Sequence, residues 1–351
     1  RSPSAPDGST PDWVEIFNPS GSTVDLGNMS LTDSITSPRR WVFPSPTILP
    51  PLGFVVVRFD ADRPPSATNT GFGLKRTGDS LYLLNNPDLG TNIVDFVALG
   101  LQTPDFSIGR VPDGSSAWSL TLPAAGMSNA PASLGNPADL RINEWMAAPD
   151  SGDDWFELYN ANPQPVALGG LWLSDSLGSA AERMKHRIAP LSFIGAATNA
   201  YQKFQADNNT AAGADHVNFR LSGSTGEALG ISTADGVLIH GVSFGPQLTG
   251  VSEGWLPDGT TNTVPFATSA SPGEANYLVL TNVVINEVLA HTDLPLEDAV
   301  ELRNLTGTDV DLSGWYLSDS KDNLKLYRIP ANTILPAHGF RVFYEYQFND
   351  P

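Results

Sequence analysis

Asp154-Trp155-Phe156-Glu157-Leu158-Tyr159-Asn160 is the stretch whose reading decides the fold, because the chain writes it three times. It stands earlier as Asp12-Trp13-Val14-Glu15-Ile16-Phe17-Asn18 and later as Asp298-Ala299-Val300-Glu301-Leu302-Arg303-Asn304. Each copy leads to a Leu-Ser/Thr-Asp-Ser step, and the glutamate and this aspartate lie 18 residues apart every time (15 to 33, 157 to 175, 301 to 319). The copies recur every 142 to 144 residues, far above the 20 to 50 of solenoids. A period of that size is a domain with its own core, so the chain reads as an array of similar domains.

Within the motif, Val14 and Ile16 alternate with Trp13, Glu15 and Phe17, the two-residue period of a half-buried strand. Phe54 to Phe59, Leu81 to Leu84 and Ile93 to Leu99 are further short β-branched or aromatic runs bounded by Gly, Pro, Asn or Asp. No segment sustains a capped 3.6-residue period. Turn signals every 8–12 residues predict an all-β protein, a row of tandem immunoglobulin-like β-sandwich domains.

The first and third copies align without a gap for more than forty residues, from Asp12 and Asp298 to Gly53-Phe54 and Gly339-Phe340. The middle copy departs after Asp175. Thr77 to Leu83 faces Ser224 to Gly230, and Ile108 to Gly114 faces Glu253 to Gly259, so a second half of the unit is visible in the first two copies. A further strand opens the middle copy at Leu140 to Glu144 and the third at Val283 to Glu287; in the first it would fall at or before Arg1. The expected domains are 1–132 with its first strand missing, 140–278, and 282–351 as an N-terminal half. The Gly/Ser/Ala/Pro-rich stretches 123–139 and 268–276 read as linkers. The chain reads as a piece of something longer.

Composition narrows the functional classes. The 351 residues are 40% hydrophobic and carry a net charge of −19, which repels phosphate backbones and disfavours nucleic acid as a partner. Cysteine is absent, which removes disulfides, thiolate zinc sites and cysteine nucleophiles. No run of 18 apolar residues predicts membrane insertion.

The recurring carboxylates are the ambiguous part. Glu15, Glu157 and Glu301, with Asp33, Asp175 and Asp319 and with Glu144 and Glu287, could gather oxygen ligands for Ca²⁺. The alternative is that such Glu and Asn side chains cap turns or bind strand-end backbone N–H groups. The second is preferred, since no Asp-x-Asp-x-Asp-Gly loop occurs. His186, His216, His240, His291 and His338 occupy non-equivalent places and show no zinc spacing. Trp172 could stack on a sugar, against the commoner packing role of aromatics. No catalytic residue and no cofactor is assigned, with Ca²⁺ the one alternative.

These residues resemble a known family. Ile142-Asn143-Glu144, Trp155 to Asn160 and Leu168 to Asp175 look like the lamin tail domain in its bacterial form, and Pro257-Asp258-Gly259 with Ser271 to Asn276 follows that family's ending. Ile285-Asn286-Glu287, Glu301 to Asn304 and Leu312 to Asp319 resemble its first half. Nearly the whole chain is covered, as two near-complete copies and one half. The resemblance implies an immunoglobulin-like sandwich and a non-catalytic structural or interaction role. The expected setting is a larger exported or cell-surface bacterial protein, in adhesion, spacing or partner binding. The expected partner is a protein or cell-surface polysaccharide, beside further domains of the same chain. Alternatives are a carbohydrate-binding accessory module of a secreted enzyme and a Ca²⁺-dependent adhesion module.

Overall fold

A computed structural model describes residues 11–90, 92–293, 296–320 and 324–348. The chain divides into two compact units, Arg1–Tyr277 and Leu278–Pro351. The first holds two copies of the repeat and the second holds the third.

In the middle copy the motif becomes the strand Asp154–Asn160, inside a five-stranded antiparallel sheet. The order across that sheet is Tyr201–Ala206, Asp154–Asn160, Leu140–Met146, Ser252–Trp255, Thr263–Phe266. A four-stranded sheet of His186–Arg187, Trp172–Ser174, Glu227–Ser232 and Leu238–Phe244 supplies the other layer. Period-2 alternation sends Phe156 and Leu158 inward, where they join Ile142, Leu173, Leu229 and Ile231, all fully buried. Phe156 stacks between Phe204 and Phe219, with ring centroids 5.5 and 6.0 Å away. Burial of such side chains, each stabilising by roughly 1.5–3 kcal/mol, is what holds the layers together.

The first copy has the same layout in looser form. Asp12–Phe17 pairs with Phe54–Phe59; Trp41–Val42, Ser30–Thr32, Asp79–Leu84 and Ile93–Leu99 form the opposite sheet; and Ser107–Arg110, Trp118–Leu122 and Ala130–Pro131 form a third. This copy is docked on the middle one through its own backbone. The Leu101 N–H donates to Ser192 Oγ at 3.0 Å, and its carbonyl accepts from the Phe193 N–H at 2.9 Å. The Leu101 side chain enters the middle copy's core and is 1% exposed. Gly100 permits the approach, because a Cβ there would meet the Pro190 carbonyl oxygen at 2.6 Å.

The second unit pairs Val283–Leu289 with Ala299–Asn304 and that strand with Phe340–Tyr344, over a small core of Leu302, Leu312, Ile329, Leu335 and Phe343. Among the described residues no helix is long and apolar enough to cross a membrane.

The asparagine that ends each motif performs one job three times. Asn160 Nδ2 donates to the Gln164 and Gly195 carbonyls while its Oδ1 accepts from the Asn162 N–H. Asn18 does the same with Ser22, Leu49 and Ser20, and Asn304 with Thr308, Leu335 and Thr306. One amide thereby satisfies a turn and a neighbouring segment whose backbone groups are removed from water.

Two sequence-based expectations need correction. The stretches 123–139 and 268–276 are integral closing segments: Ala130–Pro131 is paired, Asn129 is tied to Asp113, and Ser271 and Asn276 are buried. Their glycines and serines provide backbone donors and close approach to buried carboxylates, and composition alone cannot tell that from flexibility. The altered middle of the second copy also contains a one-turn helix, Ala180–Arg183, closed by a Ser179/Glu182 capping box. Four residues are too few to register as periodicity.

Candidate functional site

The Ile-Asn-Glu motif is a β-bulge. Ile142 faces Leu158 and Glu144 faces Glu157 across the ladder, so Asn143 is an extra residue on its strand. Asn143 and Glu144 are consecutive yet both fully buried. Val283–Leu289 repeats the device, with the register shifting between Ile285 and Glu287 and with Asn286 Nδ2 donating to Glu301 at 2.7 Å.

Around the bulge lies a closed polar network. Asn143 Nδ2 donates to Glu157 Oε1 at 3.2 Å and to Asp258 Oδ1 at 2.9 Å, and its Oδ1 accepts from the Gly259 N–H at 3.0 Å. The other Glu157 oxygen accepts from the Gly273 N–H. Glu144 accepts from the Ser252 hydroxyl and, on Oε2, from the Ser271 N–H at 3.1 Å. Asp258 also accepts from Tyr201 Oη at 2.9 Å and from the Asn276 N–H at 3.0 Å. The opening strand is gripped by its backbone as well: the Ile142 N–H donates to His240 Nδ1 at 3.1 Å, and its carbonyl accepts from Trp255 Nε1 at 2.6 Å. Three carboxyl groups thus tie the closing segment 271–276 to the first two strands of the domain.

Burial sets the electrostatics. It pushes the Glu157 carboxyl up to about 9, against the hydrogen bonds from Gly273 and Asn143 and helped by neighbouring Glu144 and Asp258. Glu144 is raised for the same reason. Burial drives His240 down to about 4, which keeps its ring neutral and able to accept the Ile142 N–H.

The other recurring carboxylates lie elsewhere. Asp175 pairs with Lys185 and Asp33 with Arg40, both beyond the strands of the opposite sheet. The spacing of 18 residues therefore carries the chain from one layer to the other, and Glu157 and Asp175 are not brought together. Glu15 accepts from the Gly126 N–H and is raised by its partial burial. Glu301 is half-buried, and Glu287 and Asp319 are exposed. Among the described residues no group of three or more His, Asp or Glu side chains is placed to hold a metal ion.

Trp172 is half-buried. Its indole N–H donates to the Ala234 carbonyl at 3.3 Å, and the Arg187 guanidinium stands 5.9 Å from its ring centroid. Ser30, at the same place in the first copy, is buried and donates to the Pro38 carbonyl, so this position is not uniformly a surface one. His216 pairs with Asp207 at 2.7 Å. A cleft of about 250 Å³ between the two copies, lined by Arg76, Tyr201, Lys203 and Gly273, is smaller than the roughly 300–1,000 Å³ of most small-molecule pockets.

The sequence singles out Glu144 and Glu157 as candidate ligands, while Asn143, Asp258 and Ser271 stand in it only as motif residues without a site role and Tyr201 carries no signal. The signal that could have found Asn143 was Asn next to Glu in both opening strands, a polar pair that follows an apolar residue and precedes two more in each.

Two antiparallel layers around one core, latched by buried carboxyl groups, define an immunoglobulin-like sandwich module, and the third copy repeats its first half. Residues 2–100 and 279–350 match the family model of the Lamin Tail Domain, and these segments belong to that family. The middle segment, outside both matches, carries the same motif strand, bulge and terminal asparagine. Neither the curated proteins nor the solved structures contain a match to the chain.

Proposed function

We propose that the three copies are non-catalytic structural and interaction modules of a larger exported or cell-surface protein, serving adhesion, spacing or partner binding. The observation that supports this is the occupation of the repeated polar residues. Asn143, Glu144, Glu157 and Asp258 are engaged by donors of their own domain, and Asn18, Asn160 and Asn304 close turns. What recurs between copies is the apparatus that closes a sandwich. The partner is a protein or a cell-surface polysaccharide.

The test separates folding from chemistry. The intact protein carrying Glu157→Gln or Asp175→Asn is assayed for any hydrolytic activity alongside its melting curve. An activity lost without loss of folding would overturn the proposal. A glycan panel probed with the chain and with Trp172→Ala distinguishes the polysaccharide partner: binding abolished in the variant at unchanged melting favours it.

A further inference from the structure

A lysine stands in the middle copy where the other two carry valine. In the ladders beside the motif strand, Lys203 lies opposite Glu157, Val56 opposite Glu15 and Val342 opposite Glu301. The sandwich therefore closes without a charge at this place. Glu157 does not pair with the ammonium: its oxygens accept from Asn143 and Gly273, and burial holds it protonated. Lys203 Nζ lies 5.5 Å from the centroid of the Trp155 ring, and among the described residues no carboxylate is within ion-pair distance of it. Burial pushes the lysine down from its ordinary value, with Asp215 acting at longer range against that push. A half-buried cation without an anion at contact costs stability that a ligand anion would offset.

Lys203 opens on the cleft between the first and middle copies, whose volume is about 250 Å³ and whose walls also carry Arg76, Thr77, Tyr201, Asp215 and Gly273. The junction of the two copies fixes Arg76. Its Nε donates to the Gln102 carbonyl at 3.3 Å, and its own carbonyl accepts the Gln102 N–H at 2.9 Å. Gln102 Nε2 in turn donates to the Leu191 carbonyl of the middle copy at 3.4 Å. The Arg76 Nη groups have no protein acceptor among the described residues, which leaves a planar fork suited to a carboxylate. Tyr201 is held by its Oη bond to Asp258 and by stacking on Tyr159, with ring centroids 5.2 Å apart. The Thr77 carbonyl accepts from the Ala214 N–H at 2.7 Å, which seats the segment carrying Asp215 against the first copy.

We propose that this cleft binds a uronic acid residue of a polysaccharide. The carboxylate accepts from Arg76 and Lys203, a ring hydroxyl donates to Asp215, and the apolar face of the sugar lies on Tyr201. Two cations and one carboxylate leave a single positive charge, which matches a single carboxylate. A doubly charged phosphate would set its second charge against Asp215. A peptide C-terminus would satisfy the cations and offer Asp215 no hydroxyl. The volume suits one sugar residue, with the rest of the polymer in solvent. The net charge of −19 repels polyanions at long range, so the ligand is a glycan with isolated or terminal uronates.

The experiment titrates methyl glucuronide into the isotope-labelled full chain and follows backbone amide shifts by NMR. Saturable shifts are expected at Arg76, Thr77, Lys203 and Gly273, with a Kd of about 1 mM. Methyl glucoside, which lacks the carboxylate, should bind about tenfold more weakly, as should the glucuronide to Arg76→Ala or to Lys203→Met, which keeps an apolar stem on Trp155. No saturable shift at these amides up to about 30 mM, or equal affinity for glucuronide and glucoside, would overturn the proposal. So would tighter binding of N-acetylalanine than of the glucuronide, which would make the cleft a site for a peptide carboxylate. The comparison of the two sugars uses the wild-type protein and stays decisive if a variant fails to fold. The proposal rests on the polysaccharide-partner reading. Glycan binding that survives Lys203→Met and is lost in Trp172→Ala would sink this site and leave that reading standing.

Discussion

Replacing Glu157 by Gln should remove a large part of the stability that the first unit loses in alkali. Glu157 is fully buried, with its carboxyl raised from 4.5 to about 9, so across neutral pH it is held protonated. The native state then carries a proton that the unfolded chain has released, and stability must fall as pH rises. The contribution is fully present below about pH 4.5 and is lost as pH climbs through about 9. At 1.36 kcal/mol per pH unit the whole span amounts to about 6 kcal/mol. Glutamine mimics the neutral acid but cannot ionise, and it costs about 1 kcal/mol for the acceptor it lacks. The measurement is urea unfolding of wild type and variant from pH 5.5 to 8.5. The difference in unfolding free energy should move in the variant's favour by about 4 kcal/mol across that range. His240, depressed to about 4, works in the opposite sense, adding stability as pH rises from 4 toward 6.5, but it is present in both proteins and cancels. A difference that stays flat with pH would refute the reasoning, because Glu157 would then be ionised in the native state throughout.

Other outcomes follow from the same geometry. Asn143→Ala leaves donors and acceptors of Glu157, Asp258 and Gly259 unmatched, and should cost about 2–4 kcal/mol by chemical denaturation. Leu101→Ala should cost about 2–5 kcal/mol and split the unfolding of residues 11–277 into two transitions, since this side chain joins the two copies. Added Ca²⁺ or a chelator should leave the melting temperature unchanged; a rise with Ca²⁺ would reveal a native-state ligand, which must stabilise.

The fold was legible because its signals are local and repeated. Alternation in the motif gave the strand, and the copies in register gave the modules. The network was only half legible. Glu157 reads as outward by alternation, yet it is buried, because the closing segment folds over that face. Asn143 was hidden by the bulge, a backbone irregularity with no glycine or proline to announce it. Ser271 and Gly273 looked like linker, since the same small residues serve flexibility and close approach to a carboxylate. The Glu–Asp spacing of 18 carried no site, because a fixed spacing in sequence here means a fixed crossing between layers.

Hydrogen exchange of the closing segment tests the latch most directly. Ser271 and Gly273 give their amides to Glu144 and Glu157, so both should be protected to the same degree as the amides of Asp154–Asn160 and open only with the domain. Exchange of those two amides at the rate of an exposed loop, with the strand still protected, would show that the repeated carboxylates do not close the sandwich.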